Sequence, residues 1–248
     1  MSYLKTKGIV IREVNTGEAD KIITLFTKSN GKISAVARGA RRPRCLFAAG
    51  TQFLSYSDFV LFSGKEIYSV NSSDIIEPFY DIRNDIVRLT YAAHFVDIIS
   101  DIMQENQPAT KVLQLLLNSL HMLSKTEKSP ELIARIFEMR FLSINGYAPC
   151  VNNCVICGSE ELDRCSFSYM KCGFICSKES CDLNDRFALP LSSGAAKAIQ
   201  YIVHSKIDNL FSFNLSPEVL DELGRINKRY LREQLEKEYT KLDFLKSI

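Results

Sequence analysis

Seven of the eight cysteines lie between Cys150 and Cys181. They fall into two halves. In the first, Cys154 and Cys157 are separated by two residues and followed by Gly158. That spacer lets two sulfurs face one ion, and the glycine permits the tight turn behind them. A tetrahedral ion needs two more ligands. Cys176 and Cys181 supply them from the second half, across a four-residue spacer. Cys150, Cys165 and Cys172 compete for those places, and the plain alternative is a set of free thiols packed as small apolar side chains. Disulfides are the weaker reading, because the basic start through Lys5 and Lys7 has no apolar leader behind it. Zinc is the expected ion, since an all-thiolate tetrahedral set suits it. The site reads as structural. A catalytic zinc keeps an open position, and the histidines His94, His121 and His204 belong to no H-x-E or H-E-x-x-H pattern. All three lie in apolar helical surroundings and read as core or interface residues.

A second cluster is basic. Arg38, Arg41, Arg42 and Arg44 stand within seven residues, with Gly39 and Pro43 among them. Those two breakers argue for a loop. A loop carrying several guanidinium groups can present them to a phosphate backbone, which supplies most of nonspecific nucleic-acid affinity. Lys28 and Lys32 on the preceding hairpin extend the patch, with Lys5, Lys7 and Arg12 as softer candidates. The alternative is a solvated loop without a partner. Tyr56, Phe59, Phe62 and Tyr68 could stack on bases, but alternating aromatics are what a small barrel packs with.

The charge distribution agrees with this placement. Residues 1–78 hold eleven Lys and Arg against seven Asp and Glu, a net of +4, whereas the remainder holds twenty against twenty-two, a net of −2. The N-terminal third is therefore the expected polyanion surface. Hydrophobic residues make up 46% and charged residues 24%, as in an ordinary soluble globular protein, and the aromatic content of 10% without a long polar tract argues against disorder. The apolar runs fall short of the roughly 20 residues that span a bilayer. A cytoplasmic protein without membrane contact is expected.

The elements that must hold these residues follow from periodicity. Short β-prone runs occur at Gly8–Ile11, Lys21–Thr27, Ile33–Ala37, Phe53–Phe62 and Glu66–Val70. Turn signals separate them, at residues 15–18, at Ser29-Asn30-Gly31-Lys32 and at Ser63-Gly64-Lys65. Val36 breaks the alternation of its strand, which suggests burial on both sides. Five short strands match an OB-fold barrel in size and count, with another small barrel or a sandwich as alternatives. After Pro78 the period becomes helical. Ile82, Ile86, Leu89, Ala93, Val96 and Ile99 share one face, and a leucine-dense helix covers Lys111–Leu123. Ser129-Pro130 and Ser216-Pro217 are N-cap and first-turn signals for two further helices, the first stopping at Gly146. Ser193–His204 makes one more. The expected architecture is multidomain α+β: a five-stranded OB-fold over 1–78, then an α-helical domain over 79–248 with a zinc module inserted at 150–182.

Three stretches resemble the RecO family in consecutive order: Gly8–Arg12, Gly17–Thr27 and Gly31–Arg42. The approach Gly146-Tyr147-Ala148-Pro149 to the first cysteine pair is similar to it as well. The resemblance spans most of the chain and weakens after about residue 185. It implies an N-terminal OB-fold, an α-helical C-terminal domain with a zinc-binding insertion, and ligands at Cys154, Cys157, Cys176 and Cys181. It also implies a bacterial recombination mediator of DNA repair, nucleoid-associated when active. Such a protein binds single- and double-stranded DNA, anneals complementary strands, partners RecR and single-stranded DNA-binding protein, and helps load RecA. The sequence departs from the family pattern in one place. Cys172 stands where the first glycine of a Gly-Gly pair is usual, and the second cysteine pair has the longer spacer.

No P-loop pattern G-x-x-x-x-G-K-[ST] occurs, so nucleotide hydrolysis is not expected. The protein reads as a non-enzyme. A protein-interaction adaptor with incidental DNA contact is the main competitor, and a zinc hydrolase or deaminase the remote one.

Overall fold

The first hairpin turns at Gly17 (φ +55°) and the second at Gly31 (φ +56°), both in the left-handed region that favours glycine. Around these turns the first strands are β1 (Tyr3–Thr16), β2 (Asp20–Thr27) and β3 (Gly31–Ala37). Two more follow, β4 (Tyr56–Phe62) and β5 (Tyr68–Glu77). The computed structural model describes residues 2–64, 67–182, 185 and 187–247. Lys65 of the expected third turn and Glu66 at the expected start of the fifth strand lie outside the described residues.

The strands close in the order β1-β2-β3-β5-β4, with β4 returning to β1. One pairing is parallel, Ala35 with Tyr68 and Val36 with Ser69 between β3 and β5; the rest are antiparallel. This is the OB-fold barrel, and it decides between the barrel and the sandwich. Val10, Ile23, Leu25, Ile33, Phe59 and Leu61 fill its interior. Along β3, Ile33, Ala35 and Ala37 point in while Lys32, Ser34 and Val36 are half-covered on the outside. Val36 is thus partly screened, not fully buried. β1 is longer than its apolar run suggests, and a register shift between Val10 and Arg12 lets Ile9, Val10 and Ile11 all be buried.

The single helix expected from Ile82 is two. α1 (Tyr80–Arg83) ends at Asn84, and α2 (Ile86–Ile102) starts afresh because the Asp85 carboxylate accepts from the Val87 and Arg88 amides at 2.9 and 3.0 Å. α3 (Thr110–Lys125) is the leucine-dense helix. The β2–β3 turn is held by the segment between α2 and α3. The Lys28 carbonyl accepts from the Ala109 amide at 2.9 Å. A Cβ at Gly31 would come within 2.5 Å of the Gln107 carbonyl oxygen. Packing therefore groups α1–α3 with the barrel, and the chain divides into compact units Met1–Ser124 and Lys125–Ile248. The change of period at Pro78 falls at the end of β5.

The second unit holds α4 (Pro130–Ile144), α6 (Ser193–His204) and α7 (Pro217–Leu235). The Ser129 hydroxyl caps Leu132, Ser192 caps Ala195 and Ser216 caps Val219. Between α4 and α6 lies a sheet in the order β7-β6-β8, made of β6 (Cys165–Ser168), β7 (Gly173–Cys176) and β8 (Leu189–Pro190), with the short helix α5 (Glu179–Asp182) after β7. No periodicity announced this sheet. His94 is buried as expected, but His121 and His204 are exposed: their helices turn a polar face outward at those positions.

Candidate metal centre and nucleic-acid interface

The thiols of Cys154, Cys157, Cys176 and Cys181 lie within 4.8 Å of one another. Cys157 and Cys176 Sγ are 3.6 Å apart, near the roughly 3.8 Å edge that a tetrahedron of 2.3 Å metal–sulfur bonds requires. The first pair sits on a tight turn. The Gly158 amide donates to the Cys154 carbonyl at 2.9 Å, Cys154 N–H donates to the Ser159 carbonyl at 2.8 Å, and Gly158 takes φ +74°. The second pair comes from the end of β7 and from α5. The four-residue spacer works because α5 turns Cys181 back, with its amide donating to the Lys178 carbonyl at 2.8 Å. Val155, Ile156, Leu162 and Ile175 pack around the sulfurs.

Three of these thiols differ in how readily they ionise. Burial opposes ionisation of Cys154, but the backbone N–H groups of Cys157, Cys176 and Ile156 outweigh it and bring the thiol down to about 6. Burial raises Cys176, and pushes Cys181 up to about 12. Cys154 therefore ionises readily, whereas Cys176 and Cys181 resist it. A dication would reverse that resistance, since a coordinating thiol is deprotonated. Four thiolates leave a tetrahedral ion no open position.

The competing cysteines are held elsewhere. Cys150 Sγ lies 3.1 Å from Asn153 Oδ1, and Cys172 Sγ accepts from Gln234 Nε2 at 3.4 Å. Cys165 is the register partner of Cys176 across β6–β7 but stands outside the cluster, its thiol pushed up to about 11 by burial. Cys172 has φ +51°, in the left-handed region that favours glycine.

The arginine loop leaves β3 and crosses toward β4 through a chain of turns. Arg42 N–H donates to Gly39 O at 2.9 Å, Cys45 N–H to Arg42 O at 3.1 Å, and Ala48 N–H to Cys45 O at 3.3 Å. Gly39 N–H donates to the Asp20 carboxylate at 2.7 Å, and Arg41 N–H to the Ala19 carbonyl at 2.9 Å, which ties the loop to the β1–β2 end of the barrel. Ala40 is buried, and Phe47 packs against the barrel core. Arg38, Arg41, Arg42 and Arg44 are all exposed. Arg38, Arg42 and Arg44 line one open groove of about 500 Å³ with Phe47, Asn71 and Asp74. Arg41 is not among its walls, and its guanidinium donates to the Glu18 carbonyl at 3.3 Å. Lys28 is exposed. Lys32 is half-buried, and its ammonium donates to the Ser100 carbonyl at 2.5 Å, near the C-terminal end of α2, where a cation is favoured. Lys5, Lys7 and Arg12 are exposed along β1. Phe59 is core, whereas Tyr56, Phe62 and Tyr68 are half-buried. Sequence reasoning missed the contribution of β5 to the groove through Asn71 and Asp74, because no local signal ties those residues to the loop.

The fold and the site together define an OB-fold protein with a cluster of four cysteines that could hold a metal ion. Residues 1–79 match the family described as Recombination protein O N terminal, and residues 83–243 match Recombination protein O C terminal. The chain is 63% identical over its 248 residues to the DNA repair protein RecO of Acetivibrio thermocellus, covering 98% of that protein. It is also 33% identical to the DNA repair protein RecO of Alkaliphilus metalliredigens and 35% identical to that of Caldicellulosiruptor saccharolyticus, covering 99% and 100% of those proteins. The chain belongs to the RecO family of DNA repair proteins. Among the described residues, no helix is long and apolar enough to cross a membrane.

Proposed function

We propose that this protein is a recombination mediator. It binds single- and double-stranded DNA through the arginine loop of the barrel, anneals complementary strands, and with RecR helps load RecA onto DNA covered by single-strand-binding protein. In this reading 1–78 is the nucleic-acid-binding domain and 79–248 the partner-facing helical domain, in a cytoplasmic, non-catalytic protein. The observation that carries it is the single groove lined by Arg38, Arg42 and Arg44, on a loop pinned to the barrel by its backbone. Guanidinium groups held in one groove can engage successive phosphates of a strand without reading its bases. Neutralising phosphates on two strands lowers their mutual repulsion and lets complementary bases meet. Lys28 supplements the patch. Lys32 is the weakest member of the set, because its ammonium already has a carbonyl partner.

The metal is proposed to be one zinc ion held by Cys154, Cys157, Cys176 and Cys181. When bound it supplies cross-linking of a segment whose own apolar cluster is small, and no step of DNA handling passes through it.

The test is fluorescence anisotropy of labelled single-stranded DNA across a salt series, comparing the wild type with Arg38→Ala/Arg42→Ala/Arg44→Ala. Losing three phosphate contacts should weaken binding and flatten the slope of log affinity against log salt by about 2. Coincident curves would move the DNA surface elsewhere on the protein. Absence of binding by the wild type would favour a protein-interaction adaptor.

A further inference from the structure

A second groove adjoins the arginine groove. It measures about 340 Å³ and is lined by Tyr3, Val36, Arg38, Phe62, Tyr68 and Asn71, among others. Arg38 and Asn71 belong to both grooves, so the two adjoin at the β3–β5 seam. The character changes along this path, from guanidinium groups at one end to aromatic rings at the other. Tyr3 and Phe62 are register partners on β1 and β4 and meet edge to face, with ring centroids 5.4 Å apart at 69°. Phe62 and Tyr68 are half-buried, but Tyr3 is 61% exposed. An aromatic side chain that exposed on a barrel strand adds little to the core. Its ring is braced by Phe62 and leaves surface open toward the groove.

Resting on the reading of the arginine loop as a phosphate clamp, we infer that Tyr3, braced by Phe62, is a base-stacking platform, and that the joined grooves bind an unpaired nucleic-acid strand with its phosphates on Arg38, Arg42 and Arg44 and its bases on the tyrosine ring. Stacking requires unpaired bases and tolerates any sequence, because every base has a π-face. The two grooves thus divide the work. The arginines accept single- or double-stranded backbone, and Tyr3 adds affinity only for a strand with free bases. Asp74 is a wall of the arginine groove and is not among the described walls of the aromatic one.

The experiment compares a thymidine oligomer with an abasic oligomer of the same length, which keeps the phosphates and lacks the bases. The wild type should bind the thymidine oligomer about tenfold more tightly. Tyr3→Ala should bring its affinity down to that of the abasic oligomer, with the salt slope unchanged. Tyr3→Phe should keep the preference, which separates stacking from the hydroxyl and from any disturbance of β1. Undiminished discrimination in Tyr3→Ala would overturn the platform while leaving the phosphate clamp intact, as would a wild type that does not discriminate. If the wild type binds neither oligomer, the clamp and the platform fall together. The alanine triple variant in the arginine groove should lose slope on both oligomers, so the two readings fail by different signatures.

Discussion

Why four of seven neighbouring cysteines converge is decided atom by atom. Cys154 and Cys157 meet because Gly158 turns the chain behind them, and Cys181 joins Cys176 because α5 bends back after β7. Cys150 and Cys172 are drawn off to Asn153 and Gln234. Cys165 is the informative control, since it faces Cys176 directly across two strands yet lies outside the cluster. Native mass spectrometry should therefore find the metal retained in Cys165→Ser and lost in Cys176→Ser. Equal loss in both would mean that Cys165 is a ligand. Coordination needs thiolates, so occupancy should also fall as pH is lowered and protons compete with the ion. The first cysteine pair was legible in sequence because its spacing is local. The second was not separable from its rivals there, because strand register and the turn of α5 choose between them.

At the scale of elements, α4 and α7 are joined by a buried polar triad. Arg135 on α4 bonds Glu138 at 3.0 Å through both carboxylate oxygens, and Asn227 on α7 donates to the Arg135 carbonyl at 2.7 Å and to Glu138 at 3.2 Å. Gly224 gives the guanidinium room: a Cβ there would stand 3.1 Å from Arg135 Nε. Burial disfavours the charged Arg135, yet Glu138 and Glu131 hold its pKa above the usual value. Glu138→Ala would leave a largely buried guanidinium without its main partner, an expected cost of about 3 kcal/mol. Denaturant unfolding monitored by circular dichroism checks it, and a loss under about 1 kcal/mol would show that Arg135 relaxes to water. The helices themselves were readable from their Ser-Pro starts and apolar spacing. The break between α1 and α2 was not, because Asp85 as an N-cap competes with a periodicity that runs straight through it. The small sheet β7-β6-β8 was hidden for another reason. Its strands are two to four residues long, too short to show a period.

Across the whole molecule the charge is unevenly divided. The net +4 of residues 1–78 and the net −2 of the rest place the polyanion-attracting field on the barrel. The cysteine module lies in the other compact unit. Removing the metal with a chelator should therefore open residues 150–182 to proteolysis while the barrel keeps its salt-dependent DNA binding. Loss of DNA binding on chelation would mean that the module takes part in the interface. The sequence by itself determined the five strands of the barrel, the Ser-Pro helix starts, the first cysteine pair and the position of the arginine loop, because each is written in residues close together along the chain. Only the tertiary structure decided that the five strands close through a parallel β3–β5 seam and that Cys165 stays outside the cluster. It alone occupied Lys32 with the end of α2, and it joined Tyr3 to Arg38 across a groove. Each of those outcomes depends on segments distant in sequence meeting in space, and burial and register select such meetings where no local pattern can.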